Sequence, residues 1–375
     1  MSSKPGRDGA LDALRGICIV SMIIGHLALH SRLWAVSRHP WVDAASGFIL
    51  MSGLVIGLVQ RRVSQRSGSR QATIKIMRRV GLLYLAHVSI VALAIVMALW
   101  RPGTHRSLPD LDVYGGPLEV LWHLVTLQLS PTFLDILPLY IILLSLAALA
   151  VAALRAGRWK LVVVGSVALY TVGMLVGQWT TLPQQKGDPG YFNWATWQLL
   201  FMSALIVGWY WHQVRQPVAS RAGVVTAGVV LLGGTAAAAA ARVLLADGTT
   251  GARFTTWLLD KSALGPGRLI LGWAAFVIAY RILDSAPVRR VARLLLTELE
   301  RLGRRSLDSF VILSVAVAVL PTVTRVSTVS LAAQVSVFQV LVLCWLWAVL
   351  RDNWSAPAAT RGGPRPAEQE PARAG

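Results

Sequence analysis

Apolar runs of about twenty residues return along most of this chain, separated by short loops rich in arginine. A bilayer's hydrocarbon core, about 30 Å thick, is crossed by roughly 20 helical residues at 1.5 Å each. Backbone polar groups there have no water to bond, so a run of this length crosses as a helix. The runs therefore predict an all-α integral membrane protein with about ten transmembrane helices. They lie near Leu11–His30, Ala44–Gln60, Val80–Trp100, Thr132–Leu154 and Leu161–Gln178, then Phe192–His212, Gly223–Leu245, Leu269–Leu283, Leu307–Val323 and Val329–Leu350. Leu269–Leu283 is the shortest. Composition agrees: 55% of the residues are hydrophobic and 14% charged, against about 25% charged in a soluble domain. One membrane domain is expected over residues 1–352, and a disordered cytoplasmic tail over 353–375, where Pro, Ala, Gly and Arg dominate.

The net charge of +19 is not a nucleic-acid footprint, because the cations sit in short loops between spans. There they act as topology signals and contacts for anionic lipid. With both termini cytoplasmic, 25 Lys and Arg residues fall on the inner side and 10 on the outer, Arg15 being the remaining one. That asymmetry predicts an even number of spans. Cys18 and Cys344 lie in apolar spans at opposite ends of the chain and read as small core residues. No phosphate-binding glycine loop, serine nucleophile elbow or zinc motif is present, so neither a metal nor a tightly bound cofactor is expected.

The first span is the unusual one. It carries Asp12, Arg15 and His26 within an apolar run. Asp, Lys or Arg near the centre of a span costs about 2.5–3.5 kcal/mol on insertion scales, so such groups usually serve a site. Arg15 and His26 are separated by eleven residues, about three helical turns, which places them on one face roughly 16 Å apart. Asp12 is an (i, i+3) neighbour of Arg15. Gly53 and Gly57 make a small-xxx-small pair suited to close helix packing. Between Arg101 and Pro131, Trp122, His123 and Gln128 sit in an apolar stretch that reads as a loop dipping toward the membrane.

Several blocks resemble the OpgC family, integral membrane proteins linked to succinylation of osmoregulated periplasmic glucans. They are Leu11-Asp12-Ala13-Leu14-Arg15-Gly16, then His26, then Gly47-Phe48-Ile49-Leu50-Met51-Ser52-Gly53. More specific are Asp135-Ile136-Leu137-Pro138-Leu139-Tyr140, Asn193 with Trp197-Gln198-Leu199-Leu200-Phe201, and Leu302-Gly303-Arg304-Arg305-Ser306-Leu307. The opening block is shared with other multi-span acyltransferases, including the acyltransferase-three group. Two positions depart from the family pattern: Ser46 stands where an acid is usual, and an apolar residue near Leu313 stands where a histidine is frequent. Asp43, three residues before Ser46, is expected to present a carboxylate on the same helix face.

The resemblance implies transfer of an acyl group, succinyl in the family, from cytoplasmic acyl-CoA to a hydroxyl of an extracytoplasmic glycan, in the inner membrane. In that reading His26 is the base that takes the hydroxyl proton, as an imidazole of reference pKa near 6.5 suits. Asp135 and Asp43 supply carboxylates beside it. Arg15, oriented by Asp12, holds donor phosphate, a bidentate task for guanidinium. Arg78 and Arg79, beside Tyr84 and His87, bind the nucleotide end of CoA. Tyr140, Asn193, Trp197 and Gln198 line an acceptor cleft, where aromatics stack on sugars and amides bond hydroxyls. A succinyl carboxylate would need a cation; Arg32, Arg38, Arg101 and Arg106 are the outer candidates. Asp308 is expected to partner an arginine. Two other readings fit the polar face of the first span. One is a transporter or flippase, the other a non-catalytic subunit of an envelope-polysaccharide assembly. Oligomeric state is not legible.

Overall fold

The computed structural model describes residues 8–37, 39, 41–102, 105–188, 190–324 and 330–354. The expected tail lies outside them beyond Trp354, its first two residues, Asn353 and Trp354, being the helical end of the chain's last described segment; the cations Lys4, Arg7, Arg38 and Arg325 also lie outside. The described residues form sixteen helices and no strand. In order they are α1 (Gly9–Leu27), α2 (Arg32–Ser37), α3 (Ala44–Trp100), α4 (Pro117–Val125), α5 (Ile136–Arg155), α6 (Trp159–Leu175), α7 (Gly177–Thr180) and α8 (Trp194–Trp209). They continue with α9 (Trp211–Ala219), α10 (Arg221–Leu244), α11 (Thr250–Leu258), α12 (Pro266–Asp284), α13 (Ala286–Val291), α14 (Arg293–Arg304), α15 (Ser306–Thr324) and α16 (Leu331–Trp354).

Eight segments among the described residues are long and apolar enough to cross a membrane. The expected fifth and sixth spans are shorter, as α6 has 17 residues and α8 has 16. Alpha-helical backbone stops at Val176 and at Tyr210, inside runs whose hydropathy alone carries on. The expected eighth span is longer than its apolar run, because Pro266 starts α12 at its first turn, where a missing N–H costs nothing.

The expected inner loop between spans two and three is a correction. Helix α3 runs 57 residues, and residues 61–79 continue it instead of leaving it. This stretch has no proline, and its six Arg, with Lys75, two Gln, Ala72 and Met77, favour helix on both sides of Gly68. The one break is Gly68, at φ +79°, a left-handed conformation that glycine adopts without a Cβ penalty. It divides α3 into the spans Ala44–Gly68 and Arg70–Trp100.

Close packing centres on glycine. A methyl at Gly53 would collide with the carbonyl of Phe201, one at Gly57 with that of Leu205, and one at Gly208 with that of Leu54. Helices α3 and α8 thus meet backbone to backbone, as the small-xxx-small spacing predicts. Gly16 and Gly303 do the same for α1 and α14, against Leu299 and Asp12. Asp308 partners Arg351, with Nε to Oδ2 at 3.6 Å, and accepts from the Trp347 indole. In the loop after α3, α4 leaves Leu118, Leu121 and Trp122 exposed. It is tied back where the Tyr84 hydroxyl donates to the Val125 carbonyl.

Candidate functional site

A cavity of about 780 Å³ lies among α1, α3, α12 and α15. Its mouth is at the end of the bundle where α1 finishes; α1 lines it from Leu14 to His26, and Leu29 follows just past the helix. Leu14 to His26 is on the order of 18 Å of helix, most of the length of α1.

His26 lies in the last turn of α1 and lines the cavity. Its Nδ1 donates to the Met22 carbonyl at 2.6 Å. A carbonyl only accepts, so the proton is on Nδ1 and Nε2 carries the lone pair. Nε2 has no hydrogen bond among the described residues, and the ring packs on Phe133 at 4.8 Å between centroids. Phe133 has φ +74°, a conformation that costs a non-glycine residue about 1–2 kcal/mol. The Pro131–Asp135 turn therefore holds a strained backbone where it meets the imidazole.

Asp43 and Asp135 line the same cavity. Asp43 is not on the face of α3 with Ser46, as expected; it is the residue that caps the helix. Its extended backbone turns the carboxylate back, and Oδ1 accepts from the Ser46 N–H at 2.8 Å. Oδ2 lies 3.8 Å from Lys261 Nζ and 3.5 Å from Arg268 Nη1. Asp135 is 5% exposed and precedes α5. Its Oδ2 accepts from Gln184 Nε2 at 2.7 Å, and it makes no hydrogen bond to His26. Tyr191 borders the same space, with Lys261 Nζ 5.5 Å from its ring centroid. Burial and the nearby Asp43 carboxylate push the Tyr191 hydroxyl's pKa upward, so it is a neutral donor.

The other expected site residues lie elsewhere. Arg15 is buried, its Nη2 donating to Ser306 Oγ at 2.6 Å and its Nη1 3.7 Å from Asp12. It does not line the cavity, but Leu14 beside it and Phe310, one turn after Ser306, do. The pair thus sits beneath the cavity floor. Arg79 borders a separate cavity of about 60 Å³ with Gln60 and Lys75, its guanidinium 5.7 Å from the Tyr140 ring centroid. Arg78 is exposed. Tyr140, Asn193, Trp197 and Gln198 are all buried in helix packing. Tyr140 stands edge-on to Phe48 and Phe201. Asn193 caps α8 and bonds the Gly173 carbonyl. Trp197 donates to the Ser262 carbonyl, and Gln198 to that of Ser166. These four brace α8 and do not meet His26 in the cavity. Leu313 is buried and does not border it either.

Of the outer cations, Arg106 lines the cavity while Arg32 and Arg101 do not; Arg38 is outside the described residues. Sequence reasoning missed Lys261, Tyr191, Gln184 and Phe133. Gln184 and Tyr191 sit in the loop before α8. Lys261 carries no local signal, since packing of α12 brings it to Asp43.

Fold and site together define a multi-span helical membrane protein with a deep cavity among its helices, polar at its mouth and lined there by an imidazole. A family model described as OpgC protein matches residues 7–356, and the chain belongs to that family. Neither the curated proteins nor the solved structures give a match.

Proposed function

We propose that the protein is an integral-membrane O-acyltransferase of the inner membrane. It moves an acyl group from acyl-CoA to a hydroxyl of an extracytoplasmic glucan or other envelope glycan. The observation that carries this reading is His26: a tautomer set by Met22, an unpartnered Nε2, and a position in the cavity with Asp43 and Asp135. Family membership supports it.

In this reading Nε2 takes the proton of the acceptor hydroxyl as its oxygen attacks the thioester carbonyl. The tetrahedral intermediate collapses, the C–S bond breaks, and the thiolate leaves with the proton returned by His26. One ester forms and one thioester is lost, with no covalent enzyme intermediate. A positioned base of this kind contributes about 10²–10⁴ in rate. Lys261 and Arg106 place positive charge where a carboxylate-bearing acyl group such as succinyl would be held. Arg15, held by Asp12 and Ser306, and Arg78 and Arg79 stand outside this cavity. Both termini are cytoplasmic in this arrangement, and ten segments cross, two of them from α3, with α6 and α8 among the rest.

The test is thiol release from acetyl-CoA and succinyl-CoA by the purified protein in liposomes, with and without an oligoglucan. Glycan-dependent release that disappears in His26→Ala supports the reading. Substrate flux without thiol release, retained in His26→Ala, supports a transporter.

A further inference from the structure

Beyond His26 the cavity changes character. From its mouth, where Asp43, Asp135, Tyr191 and Lys261 gather, it continues toward Leu14 as an arm walled by Ile17, Leu50, Met51, Ala275 and Phe310. The positions between His26 and Leu14 represent about 18 Å of α1. Only Cys18, Ser21 and Ser46 bring polar side-chain atoms to this part, and the Ser46 hydroxyl is already donated to the Asp43 carbonyl. The arm is long, apolar and poor in hydrogen-bond partners.

That chemistry selects its occupant. The pantetheine arm of a CoA thioester carries two amides and a hydroxyl, and these would lose their water without gaining partners. A sugar would lose more. A hydrocarbon chain has nothing to satisfy and gains from every methylene buried. Helix α12 is shaped for it: a Cβ added at Gly272, which lines the arm, would meet nothing within 4 Å. At Gly53, Gly57 and Gly208 glycine makes room for a neighbouring backbone; at Gly272 the space belongs to the cavity.

We infer that the arm between α1, α3 and α12 binds the hydrocarbon chain of a lipid whose polar headgroup lies at the mouth beside His26. Joined to the acyl-transfer reading, on which this second step rests, the acceptor hydroxyl belongs to a lipid-borne headgroup, with its chain directed toward the bilayer centre. The binding itself requires no chemistry and is tested separately.

The full chain is reconstituted in phosphatidylcholine nanodiscs with a lysophospholipid carrying a diazirine in its chain, irradiated, and the labelled peptides mapped. Label is expected on α1 between Leu14 and Met22 and on α12 between Gly272 and Ala279, competed by unlabelled lysophospholipid. In Gly272→Leu, which fills open space, it falls about tenfold, as displacing roughly two methylenes' worth of contact predicts. A second variant, Gly25→Leu, is also built into open space on the cavity wall and lowers labelling in the same way. A diazirine-bearing long-chain acyl-CoA is run in parallel. Arm labelling by it alone overturns the lipid-borne acceptor and assigns the chain to the donor. Labelling confined to the outward faces of α10, or unchanged in both variants of normal melting temperature, overturns the proposal. Failure of the acyl-transfer reading looks different: the arm is labelled but no acyl-CoA is consumed. Conversely, succinyl transfer by a parent protein whose arm takes no label leaves the enzyme standing and removes the chain site.

Discussion

His26 donates from Nδ1 to the carbonyl of Met22, one turn earlier in the same helix, at 2.6 Å. The bond needs no second element, so the tautomer is set as soon as α1 forms. Substituting His26 by Ala or Gln removes the lone pair on Nε2 and is expected to lower acyl transfer by about 10²–10⁴. The melting temperature should change little, because the ring has Phe133 on one side and borders the cavity on the other. Thiol-release kinetics and a thermal scan of the same preparation check this; a variant that transfers normally removes His26 from the chemistry.

Arg15 gives a separate test, because structure and donor binding predict different outcomes. It is buried with Asp12 and Ser306. Removing one partner of a buried ion pair costs about 3–5 kcal/mol, whereas replacing both by apolar residues of similar size is often neutral or better. Arg15→Met is therefore expected to destabilise strongly, and Asp12→Leu with Arg15→Met to recover most of the loss. If the double variant recovers stability but KM for acyl-CoA stays high, Arg15 also serves the donor.

The α3–α8 seam predicts a contrast between glycines. Gly57→Ala must push a methyl into the Leu205 carbonyl, while Gly81→Ala meets nothing within 4 Å. Overpacking of this kind costs about 1–3 kcal/mol. Denaturation in detergent should separate the two, with Gly81→Ala at or above the parent because alanine is the better helix former.

At the mouth, His39 contributes a pH dependence of its own. Its Nδ1 accepts from the Trp41 N–H at 3.3 Å, and Nε2 faces Thr235 at 3.3 Å. Burial, with the Arg268 charge adding to it, holds its pKa below the usual 6.5. The folded state therefore binds its proton less readily than the unfolded chain. The stability this provides is present above pH 6.5 and is lost as pH falls through the folded value. His39→Asn keeps an acceptor for Trp41 and cannot titrate. Melting temperatures between pH 7.5 and 5 should fall more steeply for the parent than for the variant.

The two cysteines report on the cavity directly. Cys18 borders it, while Cys344 is fully buried against the Ser309 carbonyl. A small methanethiosulfonate reagent is expected to modify Cys18 before Cys344, and Gly272→Leu to slow it. Equal rates would contradict the cavity as described.

Much of this molecule was legible before any coordinates. The spans follow from run length, since a bilayer admits only helices and each must be about twenty residues long. His26 stood out because an imidazole in an apolar run has a cost that local sequence makes visible. Asp135 stood out by resemblance. The short helices α6 and α8 were less legible, because hydropathy continues past the points where the backbone leaves the α conformation.

The residues that meet in space were not readable in the same way. Asp43 and Lys261 are joined only by the packing of α12 on α1 and α3, and Tyr191 and Gln184 arrive from the loop before α8. Tyr140, Asn193, Trp197 and Gln198 have side chains fit for binding sugar, yet helix packing turns them inward. Periodicity along one chain specifies which residues are apolar and how far each helix runs. It carries no record of which helix stands beside which, so the cavity, its polar mouth and its apolar arm exist only once all the helices have packed.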